Sequence, residues 1–443
     1  MTRAADRLRH WAGALEGTAA VAAGLVVLGL TAYGFLVVTA RALGPEAYAP
    51  LSALWAIVFL LGPGCFVPIE QELARSLAAR RAAGLGGGPV IRQAAALGGT
   101  ALVVLTALCA VAGFVLLDQL FDGQSLLVVG LLLSLAGYFA EHLVRGVLAG
   151  HGRFRPYGVA LAAEGTVRLI GCAVLAGLGV ATAGPYGIVL GAAPLLAAAV
   201  ALRGNRGLAP PGPDADRREV TVALGWLLAG SVLAQVMANA GPVAVKLLAA
   251  DDERAEAGRF LAALIVARVP MFLFQAVLAP ALPRLARMAA AGDRPGFDSG
   301  LRRLLVVVVG LGAAGTLGAL VAGPLVVRTL FGPDFELPTR DLAVLALGCA
   351  AYLLALTLGQ ALIAVSGQGR VALAWLAGVV AFGTVTALGS DLLTRVELGL
   401  LAGSIVAAAA MAGLLLPVLA HRVGPAPAAA ADLVASPPPG LAP

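Results

Sequence analysis

Arg203 to Glu219 reads RGNRGLAPPGPDADRRE, a polar stretch rich in proline and glycine between two apolar runs of the 443-residue chain. Its prolines and glycines punctuate rather than propagate a helix, so it reads as a linker. Working outward from it, six apolar runs precede it, at 17–40, 47–69, 93–117, 123–144, 157–181 and 185–202. Six follow, at 221–247, 258–282, 304–327, 342–364, 371–390 and 398–420. A helix crosses the hydrocarbon layer with about 20 mostly apolar residues, and each run is near that length. Breakers separate them at Leu43-Gly44-Pro45, Gly184-Pro185 and Gly332-Pro333. The fifth and sixth runs share an uncharged stretch, 169–202, and Ala183-Gly184-Pro185 is where the chain is expected to turn.

Composition agrees. Hydrophobic residues make up 60% of the chain and charged residues 12%, against about 25% charged in a soluble domain. The mean hydropathy is +0.94. A water-soluble globule, a secreted scaffold and a disordered chain are excluded. The predicted fold is an all-α polytopic membrane protein of twelve helices. The first run, Gly17 to Ala40, spans 24 residues, longer than the roughly 7–15 residues of a signal-peptide core, so no cleaved leader is expected.

Charge placement tests the count. With the N-terminus in the cytoplasm, the inner segments hold 21 arginines and the outer loops six. Arg168, Lys246 and Arg268 lie within spans. This is the positive-inside distribution, and an error of one helix would scramble it downstream. The net charge of +6 therefore reads as topology and not as a nucleic-acid surface. The expected parts are a cytoplasmic segment 1–16, lobes at 17–202 and 221–420, the linker 203–220 and a disordered cytoplasmic tail 421–443 rich in Pro and Ala. Both termini lie inside.

The halves echo each other. LSALWAIV (51–58) faces LAALIVAR (261–268), and VLAGHGR (147–153) resembles LIAVSGQGR (362–370), at corresponding helices. Six is even, so both halves enter the membrane with the same polarity and their pseudo-two-fold axis runs along the membrane normal. Two such bundles with a cavity between them form a transporter plan.

Four longer stretches carry a family resemblance. ARALGPEAYAPLSALWAIVFLLGPGCFVPIEQELAR (40–75) is similar to the opening of the polysaccharide flippases of the multidrug/oligosaccharidyl-lipid/polysaccharide exporter superfamily. LVRGVLAGHGRFRPYG (143–158), RFLAALIVARVPMFLFQAVLAPALPRLAR (259–287) and LFGPDFELPTRDLAVLALG (330–348) resemble that family's fourth-to-fifth junction, eighth helix and junction before the tenth. The resemblance implies a two-lobed flippase that moves an undecaprenyl-diphosphate-linked oligosaccharide across the bacterial cytoplasmic membrane by alternating access, for surface polysaccharide biosynthesis. The implied partners are the lipid-linked glycan, membrane lipids, and polysaccharide polymerases and glycosyltransferases. The lack of a thirteenth and fourteenth run counts against the lipid II flippase branch. An ion-coupled drug antiporter of a sister branch is the other alternative.

Charges inside the bilayer cost about 2.5–3.5 kcal/mol each on insertion scales and mark pathways or pairs. In span seven, Ser231, Gln235, Asn239, Pro242 and Lys246 recur at spacings of 4, 4, 3 and 4, on one helical face. This stripe reads either as a cavity wall with Lys246 toward its outer end or as polar packing with Lys246 snorkelling outward. Span eight carries Arg268, followed by Pro270 and Gln275. Arg268 reads as a cavity cation suited to phosphate, or as half of a structural pair. Lys246 and Arg268 belong to the first two helices of one half, which allows them to approach one another across one lobe.

Glu164 and Arg168 stand i,i+4 in span five, a self-neutralising pair or a proton-coupling group released when an anion draws Arg168 away. Glu141 and Arg145 repeat the spacing in span four, and Glu70 lies near the inner end of span two. These three read as interface salt bridges or a cytoplasmic gate, and His142 as a headgroup-level residue.

The four cysteines sit within apolar runs with no ligand spacing, so neither disulfide nor metal is implied. No P-loop, HExxH or acidic metal motif occurs, and no loop is large enough to hold an enzyme's catalytic domain. No enzymatic activity and no cofactor are expected. A membrane-bound glycan polymerase and a non-transporting scaffold are the remaining, less favoured readings.

Overall fold

The structure, a computed structural model, describes residues 2–214, 218–271, 274, 285, 287–289, 291–365 and 367–422. These form helices and short turns, with no strand among the described residues. The first helix, α1 (Thr2–Ala82), is continuous to the eye but broken in conformation at Gly44, where φ is 73° and ψ 166°. Positive φ costs little only for glycine, and Pro45 follows with no N–H to continue the ladder. Residues 19–82 of this helix number 64, about 96 Å at 1.5 Å per residue, three times the hydrocarbon thickness. Two arms, inclined at Gly44, thus supply the first two spans.

Then come α2 (Gly88–Val115), the five-residue α3 (Leu117–Phe121), α4 (Ser125–Gly150), α5 (Phe154–Gly177) and α6 (Ala183–Leu202). The turn falls at 178–182, and Ala183-Gly184-Pro185, where the sequence placed it, opens α6. After the linker follow α7 (Arg218–Leu248), a single 3-10 turn and α8 (Glu256–Ala267). The chain closes with α9 (Arg294–Phe331), α10 (Thr339–Ala364), α11 (Gln368–Leu388) and α12 (Leu392–Arg422). Ten helices are long and apolar enough to cross a membrane, α1 among them. With the two arms of α1 and the eighth run, which α8 opens, they accommodate the twelve spans. Most of that eighth run beyond 271, Gln275 included, lies outside the described residues, as does the tail from 423 onward.

The first lobe is built on glycines. A Cβ on Gly24 would stand 2.4 Å from the Gly158 carbonyl, and one on Gly158 2.2 Å from that of Ala20, so the first arm of α1 and α5 meet backbone to backbone. Gly130 and Gly191 do the same for α4 and α6, each Cβ falling 2.6 Å from a carbonyl of the other helix. In lipid no hydrophobic force drives helices together, and close backbone approach supplies the dispersion contact instead. In the second lobe α11 packs on α12, α10 on α12 and on α9, and α7 on α11. Large apolar side chains left exposed, such as Phe114 and Val321, face where acyl chains would lie.

α1 is the bridge. It packs on α4 and α5 of its own lobe and on α7 and α8 of the other. The linker stays with the first lobe. Arg80 donates to the carbonyls of Pro213 (2.8 Å) and Asp214 (3.2 Å), and the Gly88 N–H donates to Pro210 at 2.9 Å.

Candidate functional site

Three groups of polar side chains lie among the apolar helices. The first is in the second lobe. α8 ends at Ala267 because Pro270 cannot donate to a further turn, and Arg268 caps it, its N–H bonded to the Leu264 carbonyl at 3.0 Å. A cation at a helix C-terminus suits the dipole. Its guanidinium Nη1 lies 3.5 Å from Asn239 Oδ1 on α7, and Asn239 Nδ2 donates to the Gln235 carbonyl at 3.2 Å. Three sequence-predicted residues, Gln235, Asn239 and Arg268, therefore meet. Arg268 lines a small recess of about 20 Å³ between α7, α8, α10 and α12, with Met237, Cys349, Tyr352, Leu400 and Ser404. Among the described residues no carboxylate lies within ion-pairing distance of Arg268. Gly64 of α1 comes against Gln235, where a Cβ would sit 3.6 Å from the Gln235 side chain. The stripe on α7 thus fronts the seam between the lobes.

The second group spans that seam. Lys246 lies at the outer end of α7 with its side chain 2% exposed. It donates to both carboxylate oxygens of Asp122, at 2.8 and 3.0 Å. Asp122 belongs to the other lobe, in a left-handed conformation (φ 49°) that ends α3. Instead of approaching one another, Lys246 and Arg268 form two separate partnerships.

The third group fills the first lobe. Arg168 is fully buried, ion-paired with Glu164 one turn earlier, and its guanidinium stands 5.5 Å from the Trp55 ring centre and 5.7 Å from that of Phe59. Tyr138 donates to Glu164 at 3.0 Å. Toward the inner side, Glu70 accepts from Tyr157 (2.7 Å) and pairs with Arg145 (3.0 Å), and His142 Nδ1 lies 2.6 Å away. Arg145 also reaches Glu141 at 3.5 Å. Glu70, Glu141 and Arg145 thus form one cluster inside a single lobe, and Arg168 is sealed within it in this conformation. His142 is buried inside the lobe, where the Glu70 carboxylate on α1 gives its ring a partner.

Sequence reading passed over Asp122, Tyr138 and Tyr157. Tyr138 carried a signal: Ser134, Tyr138, Glu141, His142 and Arg145 recur on one face of α4. Glu397 on α12 also escaped notice. It is buried, and neither carboxylate oxygen has a hydrogen-bond partner among the described residues. The described residues contain no group of three or more His, Cys, Asp or Glu that could hold a metal ion.

No protein-family profile matches the chain. Uncharacterized protein Rv3630 of Mycobacterium tuberculosis is 26% identical over 403 residues, covering 88% of each chain. Uncharacterized protein Rv1510 of the same organism is 28% identical over 389 residues, covering 84% of this chain and 85% of its own. Among solved structures, a multidrug resistance MATE family transporter of the MOP superfamily superposes in its inward-facing conformation with a TM-score of 0.65 at 15% identity. The match covers 92% of this chain and 96% of that one. The outward-facing conformation gives 0.63 at 13% identity over the same shares. The chain is a multi-pass membrane protein with the two-lobed fold of MATE family transporters.

Proposed function

We propose that this protein is a flippase that carries an anionic, lipid-linked oligosaccharide from the inner to the outer leaflet of a bacterial cytoplasmic membrane by alternating access. The observation that carries the reading is Arg268, a cation among the apolar helices beside the lobe seam with no carboxylate to neutralise it among the described residues. An isolated charge there is costly unless a ligand compensates it. A guanidinium binds phosphate oxygens through two parallel N–H donors, which suits a prenyl diphosphate headgroup. Gln235 and Asn239 continue the polar wall along which a glycan slides while the prenyl tail stays in lipid. The order of the quoted motifs along the chain supports the same substrate class.

The test is genetic. Arg268→Ala is expressed in a strain lacking the gene, beside wild type and Arg268→Lys. Surface glycan and its lipid-linked precursor are measured. Loss of surface glycan with precursor accumulation is expected for the Ala variant and partial export for Lys. Undiminished export by a normally expressed Ala variant overturns the reading.

A second reading, extrusion of cationic drugs, is favoured by one observation: the solved proteins that share the fold are multidrug transporters. Drug resistance on overexpression, with unchanged glycan export on deletion, supports it instead.

A further inference from the structure

One set of contacts between the lobes lies near the Gly44 bend, on the side that the arginine distribution places outside. Arg41, in the outer bend of α1, donates to the Leu330 carbonyl at the end of α9 (2.6 Å) and also reaches that of Thr329. Ser52 donates to the Ala257 carbonyl at 3.3 Å, and the Tyr48 ring meets Phe335 at 5.8 Å. A Cβ on Gly258 would stand 2.4 Å from the Pro45 carbonyl. Most of these are carbonyl or packing contacts. Asp122–Lys246 is different, an ion pair with each partner on its own lobe and its cation withdrawn from water.

Lys246 is the single lysine of the chain. It lies on the α7 face that carries Gln235 and Asn239, so the residue closing the outer seam continues the stripe along which an anionic headgroup would travel. Its charge is compensated by a carboxylate whose side chain remains 24% exposed, and so is open to competition. An ammonium is a point charge with rotatable donors and can exchange one anion for another. We propose that Asp122 and Lys246 form the outer gate, and that a phosphate-bearing headgroup opens it by replacing Asp122 as the partner of Lys246. The gate stands on the geometry of the pair alone; the exchange rests on the flippase reading. A ligand shifts a conformational equilibrium only through its differential affinity for the two states. Here the differential is explicit, since the headgroup finds Lys246 only where Asp122 has let go.

The experiment uses the full chain in lipid nanodiscs, with its four cysteines replaced by alanine and spin labels at Ser125→Cys and Asp252→Cys, on the outer ends of the two lobes. Electron–electron dipolar distances are recorded without ligand for the otherwise unmodified chain, Asp122→Asn, Lys246→Gln and the reversed pair Asp122→Lys with Lys246→Asp. Asparagine tolerates the left-handed conformation that Asp122 adopts, so that variant removes the charge without straining the turn. A single short distance is expected with the native pair. Each single variant should raise the long-distance population by about tenfold, and the reversed pair should largely restore the short one. Unchanged distances in both single variants overturn the gate, whatever the cargo.

A second arm adds inorganic pyrophosphate or, separately, undecaprenyl diphosphate to the native pair. Opening by pyrophosphate assigns recognition to the phosphates alone; opening only by the prenyl form assigns it to a headgroup delivered from the membrane. No response to either, with the single variants open, overturns the exchange and leaves the gate.

Discussion

The guanidinium of Arg168 lies over the indole of Trp55, 5.5 Å from ring to cation, with Glu164 as its ion-pair partner on the same helix. The pair joins two arms of the first lobe, since Trp55 belongs to the second arm of α1 and Arg168 to α5. Removing one member of a buried pair strands the other, at a cost of about 3–5 kcal/mol, whereas removing both costs less. Arg168→Ala and Glu164→Ala should each lower the thermal unfolding midpoint in detergent, and the double variant should recover part of the loss. Additive losses would show the two charges to be independent.

Glu70 is the hub of the inner cluster, accepting from Tyr157 and pairing with Arg145 and His142. Glu70→Ala leaves Arg145 with the more distant Glu141, at 3.5 Å, and the Tyr157 hydroxyl, at 3.2 Å. The expected destabilisation is about 3–5 kcal/mol, against a smaller one for Glu70→Gln, which retains an acceptor. Chemical unfolding followed by intrinsic tryptophan fluorescence measures both. Equal losses would mean that the charge of Glu70 contributes nothing.

The first-lobe crossing has no room for a side chain at Gly158, where a Cβ falls 2.2 Å from the Ala20 carbonyl, whereas a Cβ at Gly99 meets nothing within 4 Å. Gly158→Leu is expected to abolish folded yield by size-exclusion chromatography, and Gly99→Leu to leave it near wild type. Similar yields would contradict the packing described for α1 and α5.

Gly44 isolates a conformational effect. Its Cβ position is open, yet its φ is 73°. Gly44→Ala should cost about 1–2 kcal/mol through backbone strain alone, seen as a shift in unfolding midpoint with no loss of topology. No shift would mean that the bend relaxes freely.

Much of this architecture was legible because its causes are local. The linker at 203–214 and the turn before Ala183 follow from proline and glycine, and the pairing of Glu164 with Arg168 from one helical turn of spacing. Helix ends were less accessible. Hydropathy placed the ninth span at 304–327, but α9 starts at Arg294, because its first turns are polar and carry no hydropathy signal. Similarly, α3 falls almost entirely in the gap between the third and fourth apolar runs, since five residues carry no periodic signal. The Lys246–Asp122 pair could not be read at all. Its partners stand 124 residues apart, and only the docking of two lobes makes them neighbours. The meeting of Arg268 with Asn239 was legible in half, as a stripe on α7 and a charge on the next helix with nothing to fix their register.

The central claim is that Arg268 receives the phosphates of a lipid-borne cargo, and reconstitution tests it most directly. Purified wild type and Arg268→Ala are placed in liposomes containing a fluorescent undecaprenyl-diphosphate oligosaccharide, and its passage between leaflets is followed by quenching from outside. The account predicts rapid passage with wild type and a rate at least tenfold lower, on the order of the loss of one charge-assisted contact, with the variant. Equal rates for the two proteins, or no passage by either beyond that of empty liposomes, would contradict it.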